Sequence, residues 1–418
     1  MAVAKRIIIC CDGTWNEPDE IPTNVTKLVR SIRPTDSDGV HQVVYYDQGI
    51  GTGDAIDKYI GGAFGYGMEQ NVLDAYRFLV HNYQLGDELY FFGFSRGAFT
   101  ARALVGLISS VGLIEKHGLD QLRKAYQYYR TAPEKRPASQ YDDNYKPDIH
   151  MVGVFDTVGA LGAPTRLLGK LTRPWVGFYN THISPMVKHA YHALALDERR
   201  EPFTPNLWTG SLNDDQFMEQ CWFAGVHSDI GGGYEKCGLS DIALQWMLIK
   251  ACALGLQFND DYLLTLCQPD LYMQPHDSYS ISYKLLEKMG AGEPMRRIYG
   301  DPANPPINVS IHDSVYQRIA EGSYRPKNPD FPVADKLADR RSKIRYMATD
   351  TPLAQLTLKE FAANCQLLNF SQGGGARIQY NGELKKGDSI DIESERFGKN
   401  TAQCVWKKGN QYGLQFAA

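Results

Sequence analysis

Three side chains that together suffice for ester hydrolysis stand far apart in this chain, each in a polar, glycine-containing turn. Ser95 lies in Gly93-Phe94-Ser95-Arg96-Gly97, a G-x-S-x-G run. Asp156 lies in Phe155-Asp156-Thr157-Val158-Gly159, and His227 opens His227-Ser228-Asp229-Ile230-Gly231-Gly232-Gly233. A hydroxyl is a weak nucleophile until an adjacent imidazole can take its proton, and the imidazole works best when a carboxylate fixes its tautomer. Asp229 is the competing acid, but two residues from His227 it is better suited to bracing the loop. A bare G-x-S-x-G is weak, so its value rests on the elements around it.

Those elements fit. Leu89 to Phe92 is a short apolar run typical of a strand buried on both faces, and Ala98, Ala101, Leu104, Val105 and Ile108 follow at helical spacing. The pattern is strand, tight turn, helix, in which flanking glycines let the backbone present Ser95 above the strand ends. The helix start supplies backbone N–H groups for an oxyanion, Arg96 being the residue next after the nucleophile. A second donor is expected from Gly13 or Thr14, in the loop Asp12-Gly13-Thr14-Trp15-Asn16 that ends a first strand at Arg6 to Cys11. Asp12 and Asn16 have an equal alternative role, fixing that loop by side-chain-to-backbone bonds.

Around these turns, helical stretches (Asn24 to Arg33, Gly67 to Tyr83, Asp241 to Leu254) alternate with strand-like ones (Gln42 to Asp47, Ile149 to Val154, Gln220 to Val226). Alternation of this kind predicts an α/β fold, a mostly parallel sheet with helices on both faces. Nucleophile, acid and histidine then follow in the chain order of α/β-hydrolases, unlike that of chymotrypsin or subtilisin. Gly49 to Gly53 lacks the Lys-Ser/Thr of a phosphate-binding loop and reads as a flexible loop. Residues 162–185 mix apolar and basic side chains, suiting a cap over the pocket, an interfacial patch or an ordinary surface helix. His182, His189 and His192 match no metal spacing and read as surface or packing histidines. Residues from about 257 to 330 lose periodicity, and a proline-rich tract, Arg325 to Pro332, marks a linker.

The 418 residues exceed one ordinary domain, and two are expected. A net charge of −4 recruits no nucleic acid, so neither DNA nor RNA is an expected partner. Eight scattered cysteines, two adjacent in a strand, suit reduced thiols in a cytosol and support neither disulfides nor zinc, and no metal is expected. The N-terminal apolar run of about six residues is shorter than a signal core of ~7–15, and no stretch approaches the ~18–20 apolar residues of a membrane span. A bacterial cytoplasmic protein is expected, with peripheral contact at the inner membrane left open.

Beyond the proline-rich tract the pattern changes to short strands: 366–370, 376–380, 389–393, 402–407 and 412–416, separated by Asn-Gly and Lys-Lys-Gly-Asp turns. They predict a small β-barrel. Arg340-Arg341-Ser342-Lys343-Ile344-Arg345 precedes it, and Asn369-Phe370-Ser371-Gln372-Gly373-Gly374 leads into its second strand. R-x-x-x-R followed by N-x-S-x-x-G, strands and a closing VW…GLQF resembles a PilZ domain, the bacterial receptor for cyclic di-GMP. The resemblance implies a site made of Arg340, Arg341, Arg345, Asn369, Ser371 and Gly374. The chemistry agrees, because guanidinium forks bond phosphate and the guanine O6/N7 edge bidentately and stack on bases.

The larger part resembles a family too. CDGTWN, GFSRGAFTARALVGLI, VFDTVGALG and VHSDIGGGY look like the α/β-hydrolase domain of type VI secretion phospholipase effectors, across roughly residues 5 to 325. That resemblance implies Ser95 as nucleophile, Asp156 and His227 as partners, and an ester, plausibly a phospholipid, as substrate. The PilZ-like tail departs from what such effectors usually carry.

The expectation is a hydrolase domain over 1–325, a linker over 326–339 and a PilZ-like domain over 340–418. Together they would make a serine esterase or phospholipase, with no catalytic cofactor, regulated by cyclic di-GMP. The rivals are a non-catalytic adaptor responsive to the nucleotide and a lipase toxin exported by a type VI system, the latter two implying a signalling or secretion protein as partner. Reaction with a fluorophosphonate separates enzyme from adaptor.

Overall fold

Runs such as Lys-Arg-Ile-Ile-Ile-Cys-Cys, buried along their length, build the sheet on which the three turns sit. The computed structural model describes residues 4–13, 21–49, 61–158, 181–200, 203–278, 295–332, 345–347, 353–358, 361–371, 375–380, 383–394, 398–408 and 411–416. They fall in two compact units: Met1–Leu256, Thr265–Ile311 and Pro326–Phe331 in one, and Gln257–Leu264, His312–Arg325 and Pro332–Ala418 in the other.

The first unit is a seven-stranded sheet: β1 (Lys5–Cys11), β2 (His41–Asp47), β3 (Glu88–Phe94), β4 (Ile149–Phe155), β5 (Val187–Ala195), β6 (Phe217–Phe223) and β7 (Val309–Ile311). Its order is β2-β1-β3-β4-β5-β6-β7, and every pairing is parallel. Register aligns the C-terminal ends: Cys11 opposes Gly93, Phe94 opposes Phe155, and Ala195 opposes Phe223. All the strand-end turns therefore open on one edge, where such folds place ligands.

Strand alternation divides the apolar side chains between two layers. Ile7, Ile9, Leu89, Phe91, Val152 and Val154 pack with α2 (Gly61–Asn82), α3 (Arg96–Val111) and α4 (Leu122–Arg130). On the other face, Tyr90 donates its hydroxyl to Leu254 O at 2.5 Å, beyond the end of the helix Gly238–Ala253. Gly153 leaves room there for the Met247 sulfur, only 2.6 Å from where a Cβ would stand. Two further helices complete the strand-end side: α1 (Asn24–Ser31), and a single turn at His227–Gly231, here α5, with Gly238–Ala253 as α6. Asn24 Nδ2 donates to both Ile230 O and Ser240 O at 2.8 Å, and Lys27 Nζ pairs with Asp241 at 2.6 Å, binding α1 to α5 and α6.

The structure departs from the sequence reading here, and β7 lies in the stretch 257–330 where no strand was expected. Val187–Ala195 is a central strand where only packing histidines were expected, because Lys188, His189 and His192 interrupt the apolar run. His189 sits within 3.0 Å of His150 O, and His192 is fully buried. His227 begins a helical turn and not a loop. Residues 159–180, most of the expected cap, lie outside the described residues.

The second unit holds seven antiparallel strands: β8 (Arg345–Met347), β9 (Leu353–Leu358), β10 (Phe361–Ser371), β11 (Gly375–Gln379), β12 (Ser389–Ser394), β13 (Gly398–Lys408) and β14 (Gln411–Phe416). They run in the order β11-β14-β13-β12-β9-β10-β8, and β10 also pairs with β11, which closes a six-stranded ring. Ala376, Ile378, Ile390, Ile392, Ala402, Cys404, Tyr412, Leu414 and Phe416 fill it, alternating along their strands as half-buried strands require. The five strands expected from sequence are present. β8 and β9 were not anticipated, since neither is bounded by glycine or Asn-Gly turns.

Candidate active site

Ser95 ends β3 and caps α3 with φ 58° and ψ −121°, a backbone conformation rarely adopted by a residue with a Cβ. Such a residue stores roughly 1–3 kcal/mol and persists only where its surroundings hold it. Here its N–H donates to Phe155 O at 3.0 Å. The flanking glycines are sterically required: a Cβ on Gly93 would stand 2.6 Å from Ala98 Cα, and one on Gly97 would overlap the carbonyl oxygens of Cys11 and Asp12. The G-x-S-x-G run is thus read by packing from both sides.

The structure brings Ser95, His227 and Asp156 together. His227 Nε2 lies 2.8 Å from Ser95 Oγ, and His227 Nδ1 lies 2.5 Å from Asp156 Oδ2. All three are buried, between 0% and 6% exposed, so their bonds are little screened by water. The imidazole lies between two rings, Phe94 at 4.7 Å and Phe203 at 4.8 Å between centroids. Its backbone N–H donates to Glu198 Oε2 at 3.2 Å, a carboxylate itself held by Arg200 at 2.8 and 2.9 Å. Gly231 is glycine because a Cβ there would run into the Phe94 ring.

Asp156 is likewise strained, with φ 39°, and lies at the tip of β4 with its N–H on Ala193 O at 2.7 Å. Its carboxylate accepts from His227, from Ala195 N–H at 3.1 Å, and from Arg296 Nη1 at 2.7 Å and Nη2 at 3.0 Å. Arg296 is also buried and donates to Ala195 O and Phe203 O. Burial pushes the Asp156 pKa up, but the Arg296 charge and the bonds from His227 outweigh it and hold the carboxyl well below its usual range. Burial lowers the His227 pKa; Asp156 and Glu198 oppose that and Arg296 adds to it, leaving the imidazole below its ordinary 6.5. A neutral imidazole facing a hydroxyl can act as a base at neutral pH.

Behind Asp156, Thr157 N–H donates to His192 Nε2 at 3.0 Å, and burial lowers the His192 pKa to about 3, which keeps it an acceptor. Asp229 accepts from Val226 N–H at 3.0 Å and pairs with His276 at 2.6 Å, so it braces the turn that carries His227. Asp12 accepts from Thr23, Thr26 and Tyr46 hydroxyls at 2.6 to 2.9 Å and from Gly13 N–H at 2.7 Å. It fixes its loop, and Gly13 N–H is engaged there. Thr14 and Asn16 lie outside the described residues. Arg96 opens α3 directly after Ser95.

Sequence reasoning missed Arg296 and Glu198, and read His192 only as a surface or packing histidine, the packing half of which its burial bears out. Arg296 sits in Met-Arg-Arg-Ile-Tyr-Gly, which carries no motif, whereas Glu198 just past the end of β5 had a positional signal once that strand is seen. Among the described residues no group of three or more His, Cys, Asp or Glu could hold a metal ion. No helix among them is long and apolar enough to cross a membrane.

In the second unit, backbone register sets Arg345 of β8 opposite Ser371 of β10, with Gly375 of β11 opposite Ser371 on the other side. Asn369 opposes Met347 and Arg377. Arg340, Arg341 and Gly374 lie outside the described residues.

Comparison with known proteins gives two family matches. Residues 5–250 match the family described as T6SS, phospholipase effector Tle1-like, catalytic domain, and residues 339–418 match the PilZ domain. An uncharacterized protein of Saccharomyces cerevisiae is 32% identical over 228 residues, covering 48% of this chain and 32% of that protein. The chain thus spans about a third of the length of that curated relative. Among solved structures, an uncharacterized protein from Pseudomonas aeruginosa aligns with TM-score 0.41 at 18% identity, over 64% of this chain and 49% of the other. The Tle1 effector bound to the VgrG spike of the type 6 secretion system aligns with TM-score 0.36 at 20% identity, over 56% and 52%.

Proposed function

The chain belongs to the Tle1-like phospholipase effector family and carries a PilZ domain, and from that premise we propose a serine hydrolase of carboxylic esters, with phospholipids as substrates and cyclic di-GMP as regulator. One observation carries the reading: the continuous line from Ser95 Oγ through His227 to Asp156, at 2.8 and 2.5 Å.

In this mechanism His227 Nε2 takes the Ser95 proton as Oγ attacks the ester carbonyl. The tetrahedral oxyanion accepts the N–H of Arg96 and one from the loop after β1, Gly13 or Thr14; a donor of this kind is worth about 3–4 kcal/mol. Because Gly13 N–H already meets Asp12, Gly13 would have to exchange that bond to serve as the donor. The imidazolium then protonates the leaving alkoxide, and water repeats the cycle on the acyl-enzyme. Asp156 stabilises the imidazolium without taking its proton.

For the PilZ domain we assign cyclic di-GMP to Arg340, Arg341, Arg345, Asn369, Ser371 and Gly374. The juxtaposition of Arg345 and Ser371 across β8 and β10 supports this, since it joins two motifs 26 positions apart. Coupling of ~1–3 kcal/mol between nucleotide and ester sites would change activity about 5- to 150-fold. The domain boundaries we propose remain 1–325, 326–339 and 340–418.

The deciding experiment measures fluorophosphonate labelling of Ser95 and hydrolysis of short-chain esters and phospholipid vesicles, with and without cyclic di-GMP. Labelling with turnover supports the enzyme. An unlabelled, inactive but nucleotide-binding protein is the adaptor instead. Family membership favours one second role, delivery by a type VI system, which growth competition between strains with and without the gene tests.

A further inference from the structure

A cavity of about 750 Å³ lies in the first unit beside α3, lined by Phe99, Arg102 and Val105 on the helix, Tyr129 on α4, Arg136 beyond it, and Asn206 and Trp208. None of Ser95, Asp156 and His227 lines it. Its volume is in the range of small-molecule sites, about 300–1,000 Å³.

Its charge balance is one-sided, with both guanidinium groups half-buried. One guanidinium face of Arg102 is covered by Trp208, whose ring centroid is 4.4 Å away, and Nη1 donates to Asn206 O at 2.5 Å. No carboxylate pairs with it among the described residues. Burial pushes its pKa down to about 9, which still leaves a cation at neutral pH. Arg136 is fastened by two carbonyls, Tyr129 O at 2.7 Å and Thr131 O at 2.9 Å, and by the Tyr128 ring. Among the described residues neither arginine has an anionic partner, and the lining carboxylate, Glu134, is exposed. A cation partly withdrawn from water without a counter-charge carries a cost, and that cost is offset when an anion arrives. Phe99, Val105, Ile183 and Trp208 supply apolar wall beside the two guanidinium groups.

We propose that this cavity binds an amphipathic organic anion, whose carboxylate or phosphate head meets Arg102 and Arg136 and whose apolar body lies against Phe99, Val105, Ile183 and Trp208. Guanidinium suits either head, since its fork bonds two oxygens at once. Trp208 also touches His192, at 5.4 Å between centroids, and His192 holds Thr157 next to Asp156, so the cavity adjoins the back of the candidate acid.

The test is calorimetric titration of the full chain with decanoate and, separately, decyl phosphate; decanol and inorganic phosphate serve as the uncharged and the headgroup-only probes. At least one amphipathic anion should bind ten times or more tighter than decanol and than phosphate. Arg102→Gln, which keeps a donor for Asn206, should weaken that binding at least tenfold. Should Arg102→Gln fail to fold by circular dichroism, Ser110→Phe, which fills the cavity from α3 without removing charge, should do the same. Decanol binding as tightly as both anions, no binding of either anion at millimolar concentration, or unchanged affinity in the folded variants would each overturn the assignment.

Discussion

Arg296 grips both carboxylate oxygens of Asp156, through Nη1 at 2.7 Å and Nη2 at 3.0 Å, and shares Oδ2 with His227. One buried carboxylate therefore serves two cations, a fixed one and one that exists only while His227 holds a proton. The pair also explains how a carboxyl with no exposure stays ionised.

Removing that grip should cost both stability and rate. Breaking a buried ion pair by taking one partner costs about 3–5 kcal/mol, so Arg296→Met should lower the thermal midpoint markedly. Asp156 has a depressed folded pKa, so its contribution is present above the unfolded carboxyl range and is lost as pH falls. Without Arg296 that pKa rises and acid unfolding should begin at higher pH. Turnover should fall while KM changes little; an unshifted acid-unfolding curve speaks against the grip.

Ser95→Ala tests the nucleophile. Loss of a triad member leaves only binding and oxyanion stabilisation, so turnover should fall at least about a thousandfold. Fluorophosphonate labelling should vanish, with the melting curve and cyclic di-GMP affinity unchanged. Retained turnover removes the mechanism.

The pH–rate profile follows from the His227 environment. The base must be neutral, and its pKa lies below 6.5, so the acid limb of kcat/KM should fall below that pH. Arg296 is one of the charges that lower it, so in Arg296→Met the limb should move upward. A limb above 7 in the wild type contradicts the burial seen here.

Gly97→Ala should be among the most damaging single-methyl changes in the first unit. Its Cβ has nowhere to go but into the carbonyls of Cys11 and Asp12, both backbone atoms. Overpacking costs typically 1–3 kcal/mol, and it strikes the elbow itself. Denaturant midpoint and esterase rate should fall together; an unaffected rate would mean that β1 can yield.

For the nucleotide, Arg345→Ala should weaken cyclic di-GMP binding roughly 10- to 150-fold, the ~1.5–3 kcal/mol of hydrogen bonds to a charged group. Calorimetry on the full chain reads it, with Ser95→Ala as the control that keeps affinity. Equal affinity in Arg345→Ala would remove this residue from the site.

Much of this was legible in the sequence because its signals are local. The elbow needs glycines at fixed offsets from Ser95, and alternation of strand and helix around it sets the sheet. Val187–Ala195 was not legible, because a strand buried in the middle of a sheet carries two histidines whose bonds to backbone make their burial tolerable. Arg296 was invisible for another reason: it meets Asp156 across 140 positions, a separation that no local pattern records. Likewise β8 and β9 are not bounded by glycine turns, and pairing with their neighbours makes them strands, β8 with β10 and β9 with both β10 and β12.

The ring formed by β10 and β11 bears on what the second unit can recognise. Along its last residues, Asn369 to Ser371, β10 has a neighbour on each flank, β8 and β11, so its amides and carbonyls are already committed to the ladder. An incoming peptide finds no vacant rail there to zip onto. A ligand that meets β10 itself there is held by protruding groups and not by strand addition to β10, which suits a small, compact visitor at that strand.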